Sequence, residues 1–178
     1  MAGLATRRWT SPRRSEPSTR ASASSALDTA VRFLAQRPRS EYEVRQRLRR
    51  AGVDEATAEA VLVQLRNHQL VDDGAFAEYW VEQRQTFRPR GARLVRSELA
   101  RLGVGRERAE AAAAGLVDSA EADAFRAARK RASRLRDLDA SAFRSRMAQW
   151  LARRGFDWAT ITTVVDRLWA EIAAAHQV

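Results

Sequence analysis

The feature that most constrains the fold is a short phrase that recurs three times, as LRRAGV at 48–53, LARLGV at 99–104 and LARRGF at 151–156. The three glycines lie 51 and then 52 residues apart. Apolar residues match at the same offsets from each glycine: Val44, Leu48, Val53, Ala58, Leu62 and Leu65; Val95, Leu99, Val104, Ala109, Ala113 and Leu116; Met147, Leu151, Phe156, Ile161, Val165 and Leu168. This is an internal repeat of about fifty residues, which predicts tandem structural units.

Each unit has helical signals on both sides of its glycine. The S-x-x-E pattern at 40–43 predicts a capping box that opens a helix. Gly52 predicts the end of that helix, because glycine reaches the left-handed conformation easily. Asp54 then predicts the N-cap of a further helix, and Gly105 and Asp157 hold the matching positions. The phrase therefore marks a helix end, a one-turn break and a new helix.

A further amphipathic segment precedes the pair in each unit, and no alternating strand pattern competes with it. We therefore predict an all-α protein with three tandem three-helix repeats, at 26–71, 72–117 and 118–178, in an elongated, curved array. A single unit is too small to bury much surface, so stacking is expected to add to the core. Four tryptophans fall in apolar register and are predicted to lie in the core: Trp80, Trp150, Trp158 and Trp169.

Composition argues against an enzyme. There are no cysteines and only two histidines, His68 and His176, which excludes disulfides and zinc sites of Cys and His. No run of 18 apolar residues predicts a membrane span. The acidic pair Asp72–Asp73 stands before a helix, where capping explains it. No phosphate-binding glycine loop is present, and we predict no catalytic residue, no metal and no cofactor.

The formal charge of +10 favours an acidic partner such as a nucleic acid or a nucleoprotein. All but one of the 32 basic residues are arginine. A GC-rich genome would explain arginine in place of lysine, but it does not explain the surplus. Residues 1–25 are rich in Arg and Ser and predict a disordered basic tail. That tail could be an arm that contacts acidic partners, an inert extension or an organelle transit peptide.

The basic residues also repeat. Arg37-Pro38-Arg39 recurs as Arg88-Pro89-Arg90, and the third unit has a dense basic stretch over 126–136 instead. A guanidinium group suits bidentate contact with phosphate or carboxylate. The alternative is a solvated face with ion pairs such as Glu41–Arg45. The candidate partner-binding residues are Arg37, Arg39, Arg45, Arg88, Arg90, Arg93, Arg96, Arg126, Arg129, Lys130, Arg131 and Arg134.

From about 26 to 173 the chain resembles the RecX family of recombination regulators. The resemblance rests on SEYEVRQRL at 40–48, LVDDGAFAEYWVEQR at 70–84, RLVRSELARLGV at 93–104 and LARRGFDWATITTVV at 151–165. It implies a cytoplasmic, non-enzymatic array of three-helix repeats that binds the RecA recombinase filament on single-stranded DNA. It further implies inhibition of ATPase, strand exchange and co-protease activity, with effects on recombinational repair and the SOS response.

Two other functions fit the residues. A helix–turn–helix protein that binds single-stranded or duplex DNA directly would explain the basic surplus. A structural scaffold would need no partner of opposite charge. We expect a monomer with no membrane contact, and motif residues such as Asp73, Phe76 and Phe156 are expected to hold the fold.

Reversal of Arg37, Arg39, Arg88 and Arg90 to glutamate is expected to abolish inhibition of the RecA ATPase, because it removes the repeated cations. Helicity, followed by circular dichroism, should stay intact. Unchanged inhibition in a DNA-dependent ATPase assay would remove this surface from consideration.

Overall fold

The computed structural model describes residues 23–175, and all regular structure in that range is α-helical. The helices are α1 (Ala23–Leu34), α2 (Glu41–Arg50), α3 (Glu55–Asn67), α4 (Asp73–Phe87), α5 (Ala92–Arg101), α6 (Arg106–Ala113), α7 (Gly115–Asp118), α8 (Ala120–Arg134), α9 (Ala140–Arg153) and α10 (Trp158–Ala175). Helices α1–α3 form unit 1, α4–α6 form unit 2 and α8–α10 form unit 3. The predicted all-α class with three three-helix repeats is confirmed, whereas the curvature of the array stays a prediction.

Two details differ from the expectation. Helix α1 begins at Ala23, so the last three residues of the predicted disordered tail are helical. The first turn there is supported by a hydrogen bond from the Thr29 hydroxyl to the Ser25 carbonyl. The rest of the tail and His176 lie outside the described residues. Helix α7 was not predicted; Ala114 keeps right-handed helical angles after α6, so the chain turns into one more short helix before α8.

Each unit encloses its own apolar core. All the matched apolar residues of the repeat are buried, and none is more than 6% exposed. They fall into three separate clusters, one for each unit. No single core spans the units, and the burial that stacking adds lies at the joints between them. Each set of three helices already covers its apolar faces, and the contacts between units are made by helix ends.

The repeated phrase forms the same helix end in all three units. Gly52, Gly103 and Gly155 have φ angles of 79°, 81° and 86°. In the first copy the Gly52 N–H donates to the Arg49 carbonyl at 3.0 Å, and the Val53 N–H donates to the Leu48 carbonyl at 3.1 Å. These are the two bonds of a Schellman motif, in which the leucine and the residue after glycine also meet as an apolar pair. The phrase is thus a helix-ending device.

Units 1 and 2 meet where the start of α2 contacts the end of α5. The Ser40 hydroxyl donates to the Leu102 carbonyl at 2.6 Å, while it also caps α2. The backbone N–H of Glu41 donates to the Asp73 carboxylate at 2.9 Å. The Tyr42 side chain packs on Gly103 so closely that a Cβ on the glycine would clash with it. The joint therefore depends on the Ser40 hydroxyl, the Asp73 carboxylate and the absence of a side chain at Gly103.

Units 2 and 3 meet in the corresponding way, at the start of α5 and the end of α9. The Gly91 N–H donates to the Arg154 carbonyl at 2.9 Å, and the Arg93 guanidinium donates to the Ala152 carbonyl at 3.1 Å. Leu94 packs on Gly155 as Tyr42 packs on Gly103. The hydrogen bonds between units within 23–175 link units 1 and 2 or units 2 and 3, so the units are joined in series.

Replacement of these glycines by alanine should distinguish the cost of backbone strain from the cost of a steric clash at the joint. Gly52→Ala should lower the free energy of unfolding by about 1–2 kcal/mol, because its left-handed conformation is strained for alanine but no atom lies within 4 Å of the added methyl. Gly103→Ala should lower it by about 3 kcal/mol or more, since the methyl also forces the joint apart. Urea unfolding monitored by circular dichroism measures both, and equal losses would contradict a role for Gly103 in the joint.

A cationic junction between units 2 and 3

The first arginine pair of the predicted set organises a loop. Arg37 and Arg39 both donate to the Glu43 carboxylate, at 2.6 Å and 3.3 Å. Glu43 is also the acid of the capping box at Ser40, and Arg39 lies 4.0 Å above the Phe33 ring. Reversal of these two arginines would set new carboxylates against Glu43 and loosen the start of α2. A loss of activity on reversal of this pair would therefore also report local structural damage.

Arg45 belongs to a neutralised network on the outer face of unit 1. It pairs with Glu59 and, at 3.2 Å, with Glu55. The predicted Glu41–Arg45 pair does not form, because Glu41 binds Arg66 at 3.1 Å. Hydrogen bonds from Arg45 and then Arg66 hold the pKa of Glu59 below its usual value. The network balances arginines with glutamates in equal number: Arg45, Arg49, Arg66, Glu41, Glu55 and Glu59.

Three further candidates hold internal partners. Arg93 binds a carbonyl at the joint of units 2 and 3, as described above. Arg126 donates to the Gln85 carbonyl at the end of α4 at 2.6 Å, and to Asp123 at 2.7 Å. Arg96 pairs with a glutamate of α6 at 3.2 Å. Arg93 and Arg126 thus connect units 2 and 3, which is a structural use of their charge.

The basic stretch of α8 does not form one face. Arg129 lines a cleft against α10, whereas Arg131 lies above the Trp150 ring of α9, with 5.6 Å from its guanidinium carbon to the ring centroid. Lys130 and Arg134 are exposed. The predicted stripe is therefore divided between the two flanks and the outer side of the helix, and a flat partner surface could not contact all of it.

Glu98 gathers several cationic and polar donors at the end of unit 2. Its side chain is only 10% exposed. Arg84 Nε donates to it at 2.7 Å, Trp80 Nε1 donates at 2.9 Å, and Arg90 forms an ion pair with its second oxygen. Arg84 also lies 4.1 Å above the Trp80 ring. Both carboxylate oxygens are thus occupied by donors from α4 and the loop before α5.

Unit 3 adds cations to this place. Arg154 lies 4.0 Å above the Trp150 ring and donates to the Pro89 carbonyl at 3.4 Å. Arg88 is exposed and has no ion pair with any residue between 23 and 175. We call this group the cationic junction, and its members are Arg84, Arg88, Arg90, Arg131 and Arg154.

Repulsion among these groups contributes to lowered pKa values of Arg90 and Arg154. Burial, followed by the charges of Arg84, Arg154 and Arg88, lowers the pKa of Arg90. Burial, followed by the charges of Arg88 and Arg131, lowers the pKa of Arg154. Arginine nevertheless stays protonated near neutral pH. Two of the five guanidinium groups bind the Glu98 carboxylate, so the junction as a whole keeps a net positive charge.

Part of this site was not predicted from the sequence. Of its members, Arg88, Arg90 and Arg131 were candidates, while Arg84, Arg154 and the shared Glu98 were not. One signal could have found the missing arginines: within the repeats a tryptophan is followed four residues later by arginine at 80–84 and 150–154, a spacing that occurs elsewhere only at 9–13. That spacing places the two side chains one above the other on a helix.

The prediction for Trp158 is wrong. It is 71% exposed. Trp80, Trp150 and Trp169 instead pack against their cores, as expected. Trp158 follows the capping Asp157, in the first turn of α10, where its side chain lies on the outer side of the helix.

Other chemistries find no support in the range that the structure describes. It contains no group of three His, Cys, Asp or Glu side chains that could hold a metal ion. No helix there is both long and apolar enough to cross a membrane. Asp72 caps α4, and Asp73 is bound at the joint to unit 1. The acidic pair therefore has structural partners.

Glu98→Gln is expected to lower the free energy of unfolding by about 3 kcal/mol, because it leaves Arg84 and Arg90 without the one counterion they have among residues 23–175, in a partly buried place. Urea denaturation measures this loss, and added salt should restore part of it by screening the repulsion. The control is Glu110→Gln, which breaks the more exposed pair with Arg96 and should cost less than about 1 kcal/mol. Equal losses would contradict the central position of Glu98.

Comparison with known proteins covers all three units. Three family models match in order: the first three-helix domain of RecX over 26–65, the second over 72–112 and the third over 120–165. The regulatory protein RecX of Amycolatopsis mediterranei is 40% identical over 151 residues, which are 84% of this chain and 86% of that protein. The regulatory protein RecX of Geobacillus kaustophilus is 38% identical over 141 residues, 79% of this chain but only 52% of that longer protein.

Solved structures agree with the fold. The crystal structure of RecX from Lactobacillus salivarius superimposes with a TM-score of 0.71 at 22% identity, over 82% of this chain and 96% of that one. A second crystal structure, of a regulatory protein RecX, gives a TM-score of 0.73 at 23% identity, over 81% of this chain and 71% of that one. The three matched domain models and the extensive identity to its relatives show that this chain belongs to the RecX family of regulatory proteins.

Proposed function

We propose that this chain regulates the RecA recombinase by binding its filament on single-stranded DNA. Binding lowers ATPase, strand exchange and co-protease activity, and so affects recombinational repair and the SOS response. The observation that carries the proposal is the match to all three RecX domains along one chain. The protein acts in the cytoplasm as a monomer without catalysis of its own.

The cationic junction is the part of the array that we propose as the main contact. Most other candidates are neutralised internally: Arg37, Arg39, Arg45, Arg96 and Arg126. The junction instead keeps an excess of positive charge next to exposed surface at Arg88. A nucleoprotein filament offers phosphates and acidic side chains to such a surface. Many weak charge contacts give binding that falls steeply with salt.

Arg88→Glu is expected to weaken inhibition of the RecA ATPase about tenfold, because charge reversal at an exposed cation of the junction repels an anionic partner. Arg50→Glu is the matched control: it changes the net charge equally, at an exposed residue of unit 1 that has no ion pair with any described residue. The assay is ATP hydrolysis by RecA on single-stranded DNA, over a salt series.

Three outcomes would count against the proposal in different ways. No inhibition by the wild-type chain would remove the function. Equal effects of Arg88→Glu and Arg50→Glu would keep the function but remove the junction as its surface. Binding to naked duplex as tight as binding to filaments would favour the other function, direct binding to DNA without the recombinase.

A further inference from the structure

The cationic junction differs from the charged network of unit 1 because its cations outnumber its acids and come from two units. In unit 1 arginines and glutamates form a balanced network. At the junction both oxygens of Glu98 are already taken by Arg84, Arg90 and Trp80. Like charges held together are unfavourable until an anion is added. The junction therefore keeps a net positive charge that an anionic ligand would offset.

The guanidinium groups are also held in place in advance. Arg84 lies flat above Trp80 at 4.1 Å and Arg154 above Trp150 at 4.0 Å. Arg154 is held further by the Pro89 carbonyl at 3.4 Å. A stacked guanidinium loses less conformational freedom when it binds, and its forked donors match the oxygens of a phosphate group.

An exposed aromatic residue, Phe87, is the neighbour in the chain of a junction arginine. Phe87, the last residue of α4, is 71% exposed and immediately precedes Arg88. A single exposed apolar residue is ordinary on a protein surface and carries no argument alone. As the neighbour of Arg88 in the chain, it supplies the second element of a single-strand site, in which bases stack on aromatic rings while cations bind the backbone.

We propose that the cationic junction is a phosphate-binding site for a segment of single-stranded nucleic acid, with Phe87 stacking on one of its bases. This rests on the proposed function, because the strand that it would meet there is the one the recombinase coats. An acidic protein surface would satisfy the guanidinium groups but would leave the exposed ring without a partner. The combination of ring and cations therefore favours a strand.

The site is shared by two units, and this has a mechanical consequence. Arg84, Arg88 and Arg90 belong to unit 2, while Arg131 and Arg154 belong to unit 3. A bound phosphate reduces the repulsion between the two sets, so it pulls the units together across the joint. Ligand binding should therefore stabilise the hydrogen bond from the Gly91 N–H to the Arg154 carbonyl.

The test is binding of a fluorescent oligothymidylate to the full chain, by anisotropy over a salt series. Arg88→Glu should weaken binding about tenfold and make the dependence on salt shallower, by about 0.7 in the logarithmic slope for each lost phosphate contact. Arg50→Glu should change affinity less than about threefold, as expected of a distant, screened charge.

The contribution of Phe87 to binding is tested with a matched pair of aromatic variants. Phe87→Ala should weaken oligothymidylate binding about tenfold, because a stacked base is lost. Trp158→Ala should leave it unchanged, since Trp158 is equally exposed, at 71%, but lines a separate cleft between α9 and α10 that contains no junction arginine. In hydrogen exchange, the oligonucleotide should slow exchange of the Gly91 N–H, and this slowing should vanish in Arg88→Glu.

Competitors identify the ligand chemistry. Pyrophosphate should displace the oligonucleotide from the wild type, and binding of pyrophosphate alone would limit the site to free phosphates. Polyglutamate that binds as tightly as oligothymidylate, with the same loss in Arg88→Glu and none in Phe87→Ala, would overturn the proposal in favour of an acidic protein surface. Equal affinities of the two aromatic variants would overturn it as well.

The two proposals fail separately. If the wild type inhibits the RecA ATPase but Phe87→Ala and Arg88→Glu bind oligothymidylate normally, the phosphate site is wrong and the function stands. If these variants lose oligothymidylate binding but the wild type does not affect the ATPase, the site stands and the function is wrong.

Discussion

The joint between helix ends is the interaction on which the rest of this structure depends. At each joint the first turn of a middle helix contacts a left-handed glycine of the next unit and hydrogen-bonds the carbonyl just before it. A side chain on Gly103 or Gly155 would separate the two backbones. Because the units have separate cores, these few polar contacts fix how one unit lies against the next. The position of every surface shared by two units follows from them.

The cationic junction is a direct consequence of the second joint. The same contact that joins Gly91 to Arg154 brings the end of α4 close to the end of α9. Arginines from separate parts of the chain thereby meet around Glu98 and the two tryptophans. The first joint has a different surrounding, because Ser40 and Asp73 supply its hydrogen bonds and Glu43 neutralises the nearby arginines. One type of joint thus supports a neutral contact in one place and a group of cations in the other.

Four physical uses of arginine can be distinguished within 23–175, and most of them neutralise or bind the charge internally. Some guanidinium groups brace a helix cap, as at Arg37, and some balance glutamates, as at Arg45. Others bind backbone carbonyls across a joint, as Arg93 and Arg126 do. At the junction Arg84 and Arg90 share the Glu98 carboxylate, and the charges of the group repel one another. A large net charge is therefore a poor guide to the binding surface until the internal partners are known.

The sequence by itself determined the helices, their ends and the buried residues of each unit. These depend on local signals, such as the capping box at Ser40 and the left-handed Gly52, and on an apolar period that repeats with the unit. It could not determine which arginines stay unpaired, because only some acids follow the repeat: Glu59 recurs as Glu110, but others do not. Glu43 has Leu94 at the corresponding position of unit 2, and Glu98 has Arg47 in unit 1. Only the tertiary structure decided those pairings, since Coulomb attraction and repulsion act on distance in space and the joints bring together residues far apart in the chain.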